Sequence, residues 1–273
     1  MGRFIGFFTT VCLLLSGITT SLDGSDRVFV PALADLVTGA NQSRWQVEMR
    51  VFNSGTTAQE VRFVEYYPWI GGNCEGRDPV MLAPGEAAVI REFGCSPGSV
   101  SAAELQAGDN LNLEIVLTNT SGPQDPCCHT GFSTHIPVMR ADKAYTTNHV
   151  LPNLPLPWKP GSNEFQPEHL IRHNMLIVNP NDSPTTVTYH LQNNGFSRDV
   201  DGKVQVPARS SVQVNDVFYP EPQQIGGPST QLRPGYYTFL IASEHPVAVI
   251  DSQVNNVNND ATLYVAVPIA GAP

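Results

Sequence analysis

The sequence predicts an all-β protein, two tandem antiparallel β-sandwich domains behind a cleaved signal peptide. Three observations carry that expectation. The chain opens on a short apolar segment with the layout of a secretory signal. Beyond it, apolar residues alternate with period two between clusters of turn residues. The same series of strands then recurs after about 125 residues.

Arg3 is the only charge ahead of the apolar run Phe4 to Leu15, and "SGITTS" supplies small residues at a cleavage point near residue 21. The run is too short to span a bilayer. Residues 1–22 are therefore read as a signal peptide, and the mature chain as secreted, periplasmic or extracellular. Removing Arg3 leaves 14 of the 15 basic residues against 25 acidic ones, a net charge of −11. Only Lys143, Lys159 and Lys203 represent lysine. An acidic chain without a basic patch is repelled by nucleic acid and by anionic lipid, so neither is expected as a partner, and the mature chain is not expected to insert into a membrane.

"WQVEMRVFN" (45–53) and "QEVRFVEYY" (59–67) alternate as strands and are joined by the turn residues "SGTTA". Trp45, Val47, Met49 and Val51 share one strand face, which makes Trp45 a core or sheet-edge residue. "NMLIVNPNDSPTTVTYHLQ" (174–192) repeats the arrangement: Val51-Phe52-Asn53 matches Ile177-Val178-Asn179, and Val61-x-Phe63 matches Val187-x-Tyr189, both 126 residues apart. "MLAPGEAAVIREF" (81–93) answers "VQVPARSSVQVNDVF" (204–218), "LQAG" (105–108) answers "LRPG" (232–235), and "THIPV" (134–138) answers "VAVPI" (265–269). Seven or so short strands per unit, with no amphipathic helix, predict a two-sheet sandwich. The Pro-rich stretch 141–165 reads as the seam, a semi-rigid spacer or an edge strand of the second unit. The expected organisation is thus 27–140 for the first sandwich, 141–165 for the seam and 166–273 for the second.

"VFVPALADLVTGANQSRWQVEMRVFNSGTTAQEVRF" resembles the opening of uncharacterised secreted bacterial tandem β-sandwich proteins, with an "hPxxA" strand, a "G-x-N-x-S-x-W" turn and an "h-x-N" strand end. "AVIDSQVNNVNNDATLYVAVP" (248–268) resembles their closing hairpin. The resemblance implies two immunoglobulin-like units over nearly the whole mature chain. That family carries no established catalytic residues, so it implies fold and secretion and no activity.

Of five cysteines, Cys12 leaves with the signal segment; Cys74, Cys95, Cys127 and Cys128 remain, an even number for an oxidising compartment and a disulfide framework. "DPCCHTG" (125–131) has neither C-x-x-C spacing nor paired ligand spacing, which argues against a redox or zinc centre. In an immunoglobulin-like strand order the ends near Tyr67 and Phe93 lie at one pole. That favours Cys74–Cys95, with Cys127 and Cys128 vicinal or partly free. The alternative ties Cys127 and Cys128 to Cys74 and Cys95. His169 and His173 have the i, i+4 spacing of helical zinc ligands but no H-E-x-x-H and no third ligand. Asp251, Asn255, Asn258 and Asp260, in "DSQVNNVNND", could donate oxygens to calcium, yet lack the spaced loop with its final Glu and read better as a hairpin turn.

There is no G-x-S-x-G elbow, dinucleotide fingerprint or P-loop. The expectation is a non-enzyme with no cofactor, a binding or structural module of the cell envelope or extracellular space. Two rival readings are a periplasmic immunoglobulin-like chaperone acting by strand complementation, and a carbohydrate- or calcium-binding accessory module using aromatics such as Tyr66, Tyr67, Trp69 or Trp158.

Overall fold

The computed structural model describes residues 20–21, 27–34, 37–38, 44–93, 95–96, 98, 100–108, 110–120, 133–156, 171–193, 200–215, 217, 235–255 and 261–269. The first half contributes β1 (Thr20–Ser21), β2 (Arg27–Ala34), β3 (Val37–Thr38), β4 (Arg44–Asn53), β5 (Gln59–Tyr67), β6 (Val80–Leu82), β7 (Ala87–Ile90), β8 (Val100–Ala107), β9 (Leu111–Asn119), β10 (Ser133–His135) and β11 (Met139–Arg140). A single helical turn, α1 (Ala141–Ala144), follows. The second half has β12 (Thr146–Leu156), β13 (Ile171–Asn179), β14 (Thr185–Asn193), β15 (Val200–Val206), β16 (Ser210–Val214), β17 (Gly235–Asn255), β18 (Ala261–Val265) and β19 (Val267–Pro268).

The protein is all-β, with three antiparallel sheets. In the first half, β1-β9-β4-β3, with β7 on β4 and β10 on β9, faces β11-β2-β8-β5-β6 across a shared apolar core. In the second, β15-β14-β17-β12-β19 is continuous with β13, β16 and β18 because β17 runs through both layers. The alternation read in 45–53 is seen in the burial of Trp45, Val47, Met49 and Val51.

The halves pair their strands alike. β4 and β5 map onto β13 and β14 at an offset of 126, β6 and β7 onto β15 and β16 at 124, and β10 and β11 onto β18 and β19 at 128. β8 and β9 both map onto β17 at 136: Ala107 lies opposite Val61 as Ser243 lies opposite Val187, and Leu113 opposite Val51 as Val249 lies opposite Ile177. This register corrects two expected matches: at an offset of 128, "THIPV" (134–138) corresponds to 262–266, not to "VAVPI" (265–269). "LQAG" corresponds to the middle of β17, not to "LRPG" ahead of it. Where the first half turns a corner at Gly108–Asn110, the second carries one strand through Glu244, His245 and Pro246.

The stretch 141–165, expected as a spacer or an edge strand, contains the strand β12 (Thr146–Leu156), and 157–165 lie outside the described residues. β12 lies between β17 and β19 and is the counterpart of β2 at an offset of 121. Even the bulge recurs, between Val30 and Leu33 and between Leu151 and Leu154. Pro31 and Pro152 sit inside those bulges, where no ladder hydrogen bond is required of them.

Asn53 and Asn179 show why the repeat preserves an asparagine at the strand end. Asn53 Nδ2 donates to the carbonyls of Thr57, Leu82 and Ala83 at 2.8, 3.0 and 3.1 Å. Asn179 Nδ2 donates to Ser183, Val206 and Pro207 at 2.9, 3.1 and 2.9 Å. Each Oδ1 accepts a backbone N–H two residues on, from Gly55 and Asn181. Both amides are fully buried and donate to carbonyls of the strand ends and turns around them.

Two apolar clusters result, and one crosses the boundary between the halves. Leu176, Val178, Ala248, Ile250, Val254 and Ala261 belong to the first half's core, while Met175, Ile177, Val247 and Val249 point into the second's. β13 and the end of β17 are thus buried on both faces, which is why "MLIV" reads as a continuous apolar run. Polar ties reinforce the junction. Ser211 donates its N–H to Pro68 O at 2.9 Å, and Arg209 reaches Glu65 at 3.4 Å and Asp182 at 2.8 Å.

Candidate functional site

The junction leaves a cleft of about 510 Å³ between the halves. Its floor is one face of four strands. The register sets Asn174 beside Ser252, and Ser252 beside Leu263; a second row runs Gln213, Leu176, Ile250, and a third Arg172, Val254, Ala261. Arg172, Asn174, Gln213 and Asn215 lie over β13 and β16 around the apolar Leu176, and Ile250, Val254, Ala261 and Leu263 over β17 and β18 around the polar Ser252. The opposite wall, from β2, β3, β4 and β9, is Ala32, Ala34, Val37, Trp45 and Leu117, with Trp69 exposed at the β16 side. None of the described lining residues is acidic, and Arg172 is the single cation.

A second open surface lies on the outer face of β17, β12 and β19. Leu240, Val150 and Val267 form a row there, beside a groove of about 670 Å³ that Asn148, Thr188, His190 and Ile269 help to line. Leu240, Val267, Ile269 and Tyr236 are all exposed, Tyr236 by 62 %. The equivalent face of the first half is covered. Glu104, the counterpart of Leu240, is buried under the residue that follows α1: Tyr145 and Tyr67 donate their hydroxyls to Glu104 Oε1 at 2.8 and 2.6 Å, and Arg27 reaches Oε2 at 3.2 Å. Burial pushes both tyrosine hydroxyls well above their ordinary range, so they remain donors.

His173 and Asp251, both singled out in the sequence, are brought together in the second core. His173 Nδ1 is 2.8 Å from Asp251 Oδ2, and Nε2 is 3.2 Å from Pro155 O; the side chains are 0 % and 1 % exposed. Burial raises the Asp251 carboxyl above the usual range, against the lowering effect of His173. Both ring nitrogens are engaged inside the protein, Nδ1 by the Asp251 carboxyl and Nε2 by the Pro155 carbonyl. The arrangement ties together β12, β13 and β17; the first half has Ala34, Val47 and Ile115 in those places. Asp251 and Asn255 lie within β17, not in a turn. His169, Asn258 and Asp260 lie outside the described residues.

Cys74 and Cys95 form a disulfide that closes a separation of 21 residues, worth about 3 kcal/mol by loop-closure entropy. Cys127 and Cys128 lie outside the described residues. Among the described residues no group of three or more His, Cys, Asp or Glu is placed to hold a metal, and no helix is long and apolar enough to cross a membrane. Tyr67 is buried, Tyr66 half-buried and Trp69 exposed; Trp158 lies outside the described residues.

Arg172, Asn174, Gln213 and Asn215 escaped the sequence reading. The available signal was the polar pair Arg172 and Asn174 on the same strand face as Leu176 and Val178, a half-polar stripe where a fully wet or fully dry one is usual. No protein-family model, curated protein or solved structure matches the chain.

Proposed function

We infer that the chain is a secreted, non-catalytic module of the cell envelope or extracellular space that works by surface contact, in adhesion or assembly. The observation that carries this reading is the bare outer face of β17, β12 and β19. Contiguous exposed apolar side chains of this kind mark interaction surfaces, and the first half covers its own equivalent face with Tyr145. The disulfide Cys74–Cys95 suits an oxidising compartment. A strand-complementing chaperone would ask for a basic cleft between loosely joined halves. Here the junction is apolar and Arg172 is the only described cation lining the cleft.

The test is retention of the tagged, secreted protein on the producer's envelope fraction, wild type against Leu240→Asp combined with Val267→Lys. These side chains are exposed, so thermal unfolding is expected to be unchanged while retention falls at least tenfold. Equal retention of wild type and variant would sink the contact reading.

A further inference from the structure

We propose that β15 is a self-association edge: two copies of the chain pair their β15 strands antiparallel about a two-fold axis at Gly202, joining their sheets. This goes beyond the surface-contact reading, uses a different part of the molecule and does not depend on it. β15 ends its sheet. Among the described residues it is paired on one side only, with β14, and otherwise packs against β13 and β16 of its own half. A sheet edge leaves alternate N–H and C=O groups of its strand without a ladder partner, a template for another strand. The first half keeps its equivalent edge short. β6 runs only from Val80 to Leu82. Pro79, at the place of Lys203, precedes it and has no N–H to give a ladder. β15 begins earlier, and its added residues are Val200 to Lys203.

Charge selects a second copy as the occupant of that edge. Asp201 and Lys203 share the outer face, opposite His190 and Thr188, and both are exposed. A strand centred on Gly202 sets Asp201 of each copy against Lys203 of the other, two opposite-charge cross-strand pairs made from one sequence. Centring the axis on residue 201 or 203 opposes like charges instead. Asp201 Oδ1 is 2.7 Å from His190 Nδ1, yet the side chain is 83 % exposed and has a second oxygen to offer.

The inner face adds an independent reason. The Tyr189 ring lies across Gly202, where a Cβ would overlap its Cζ and Oη. Its hydroxyl is thereby carried over the edge strand, buried and without a hydrogen-bond partner among the described residues. Burial pushes the hydroxyl up to about 12, so it stays a donor. Phe63, its counterpart in the first half, has no hydroxyl to satisfy. The two-fold brings the two Tyr189 hydroxyls to either side of one axis, where one donates to the other, and the facing glycines leave them room.

The experiment follows self-association of the secreted protein by sedimentation velocity across a wide range of concentration. Wild type is expected to dimerise reversibly. Lys203→Asp and Asp201→Lys each oppose like charges across the axis and should each weaken the dimer about tenfold. Both side chains are exposed, so thermal unfolding at dilution should be unchanged. An equimolar mixture of the two variants should form heterodimers with about wild-type affinity, because the acidic strand then meets the basic one. Tyr189→Phe, which keeps the ring, should weaken the dimer about threefold. A monomer at every concentration would overturn the proposal. So would a dimer indifferent to both charge variants, or a mixture no tighter than its components. A dimer broken by Leu240→Asp with Val267→Lys and not by Lys203→Asp would overturn it too, placing the contact on the bare face.

Discussion

The outer face of β4 and β9 and the outer face of β13 and β17 occupy equivalent places in the two halves and are built from opposite materials. On the first, Arg50 bonds Glu114 at 3.2 Å and Glu48 at 3.4 Å, and Arg91 bonds Glu48 at 2.7 Å. The hydrogen bond from Arg91 holds the Glu48 carboxyl below its usual range. On the second, those four positions, Glu48, Arg50, Arg91 and Glu114, are Asn174, Leu176, Asn215 and Ile250. The backbone ladders do not distinguish the two faces. The side chains decide: a salt-bridge lattice stays in water, and a half-apolar face docks against the neighbouring half. Exposed ion pairs of this kind each contribute little, whereas a fully buried Leu or Ile contributes about 1.5–3 kcal/mol. The second face is therefore the one that holds the molecule together.

Moving charge from one face to the other gives the largest expected effect. Ile250→Glu, which copies Glu114, buries an unpaired carboxylate and should cost about 3–5 kcal/mol in urea unfolding. A cost below 1 kcal/mol would mean that the junction is not closed in solution. His149 offers a second contrast, since its counterpart is Val28. It is buried between α1 and β17, and desolvation pushes its pKa down to about 4 from 6.5, against carbonyls of Ala144 and Val247 that favour the charged ring. The unfolded chain then takes up the proton first on acidification. Stability is whole above pH 6.5 and falls as pH drops toward 4, by up to about 3 kcal/mol. His149→Val should flatten that part of the pH profile of the melting temperature; an unchanged slope would assign it to other groups.

Removing the first half's brace with Cys74→Ser and Cys95→Ser should cost about 3 kcal/mol, and reductant should lower the wild-type unfolding midpoint to match. Asn53→Leu and Asn179→Leu each strand buried turn carbonyls and should each cost about 2–3 kcal/mol. If the two losses differ widely, the corners are equivalent in geometry but not in energy. The smallest effect belongs to Glu114→Ile, below about 1 kcal/mol at moderate salt.

Much of this frame was legible in the residues. Period-two burial marked β4 and β5, and the repeated asparagine at 53 and 179 marked two equivalent corners. β12 was legible only as one of two alternatives, spacer or edge strand, because Pro152 and Pro155 also suit a spacer; "VPAL" at 30–33 and "LPNL" at 151–154 are the same bulged strand, and prolines at a bulge carry no cost that would break a strand. The cleft was hidden for a different reason. It exists only where Trp45 and Leu117 meet Arg172 and Val254, and such contacts between distant segments leave no periodic trace in either one. The closed His173–Asp251 pair joins residues 78 apart, and the spacing from His169 to His173 pointed elsewhere.

β17 has one further consequence, for how the molecule comes apart. In the first half the two layers meet at the corner Gly108–Asn110, so one sheet can open while the other holds. In the second half a single run of amides from Gly235 to Asn255 is bonded to β12, β13, β14 and β18 in turn. Neither layer can be released without dismantling the other. Hydrogen exchange along β17 should accordingly report one shared opening event, with protection in the second half lost together, while β8 and β9 exchange on separate clocks.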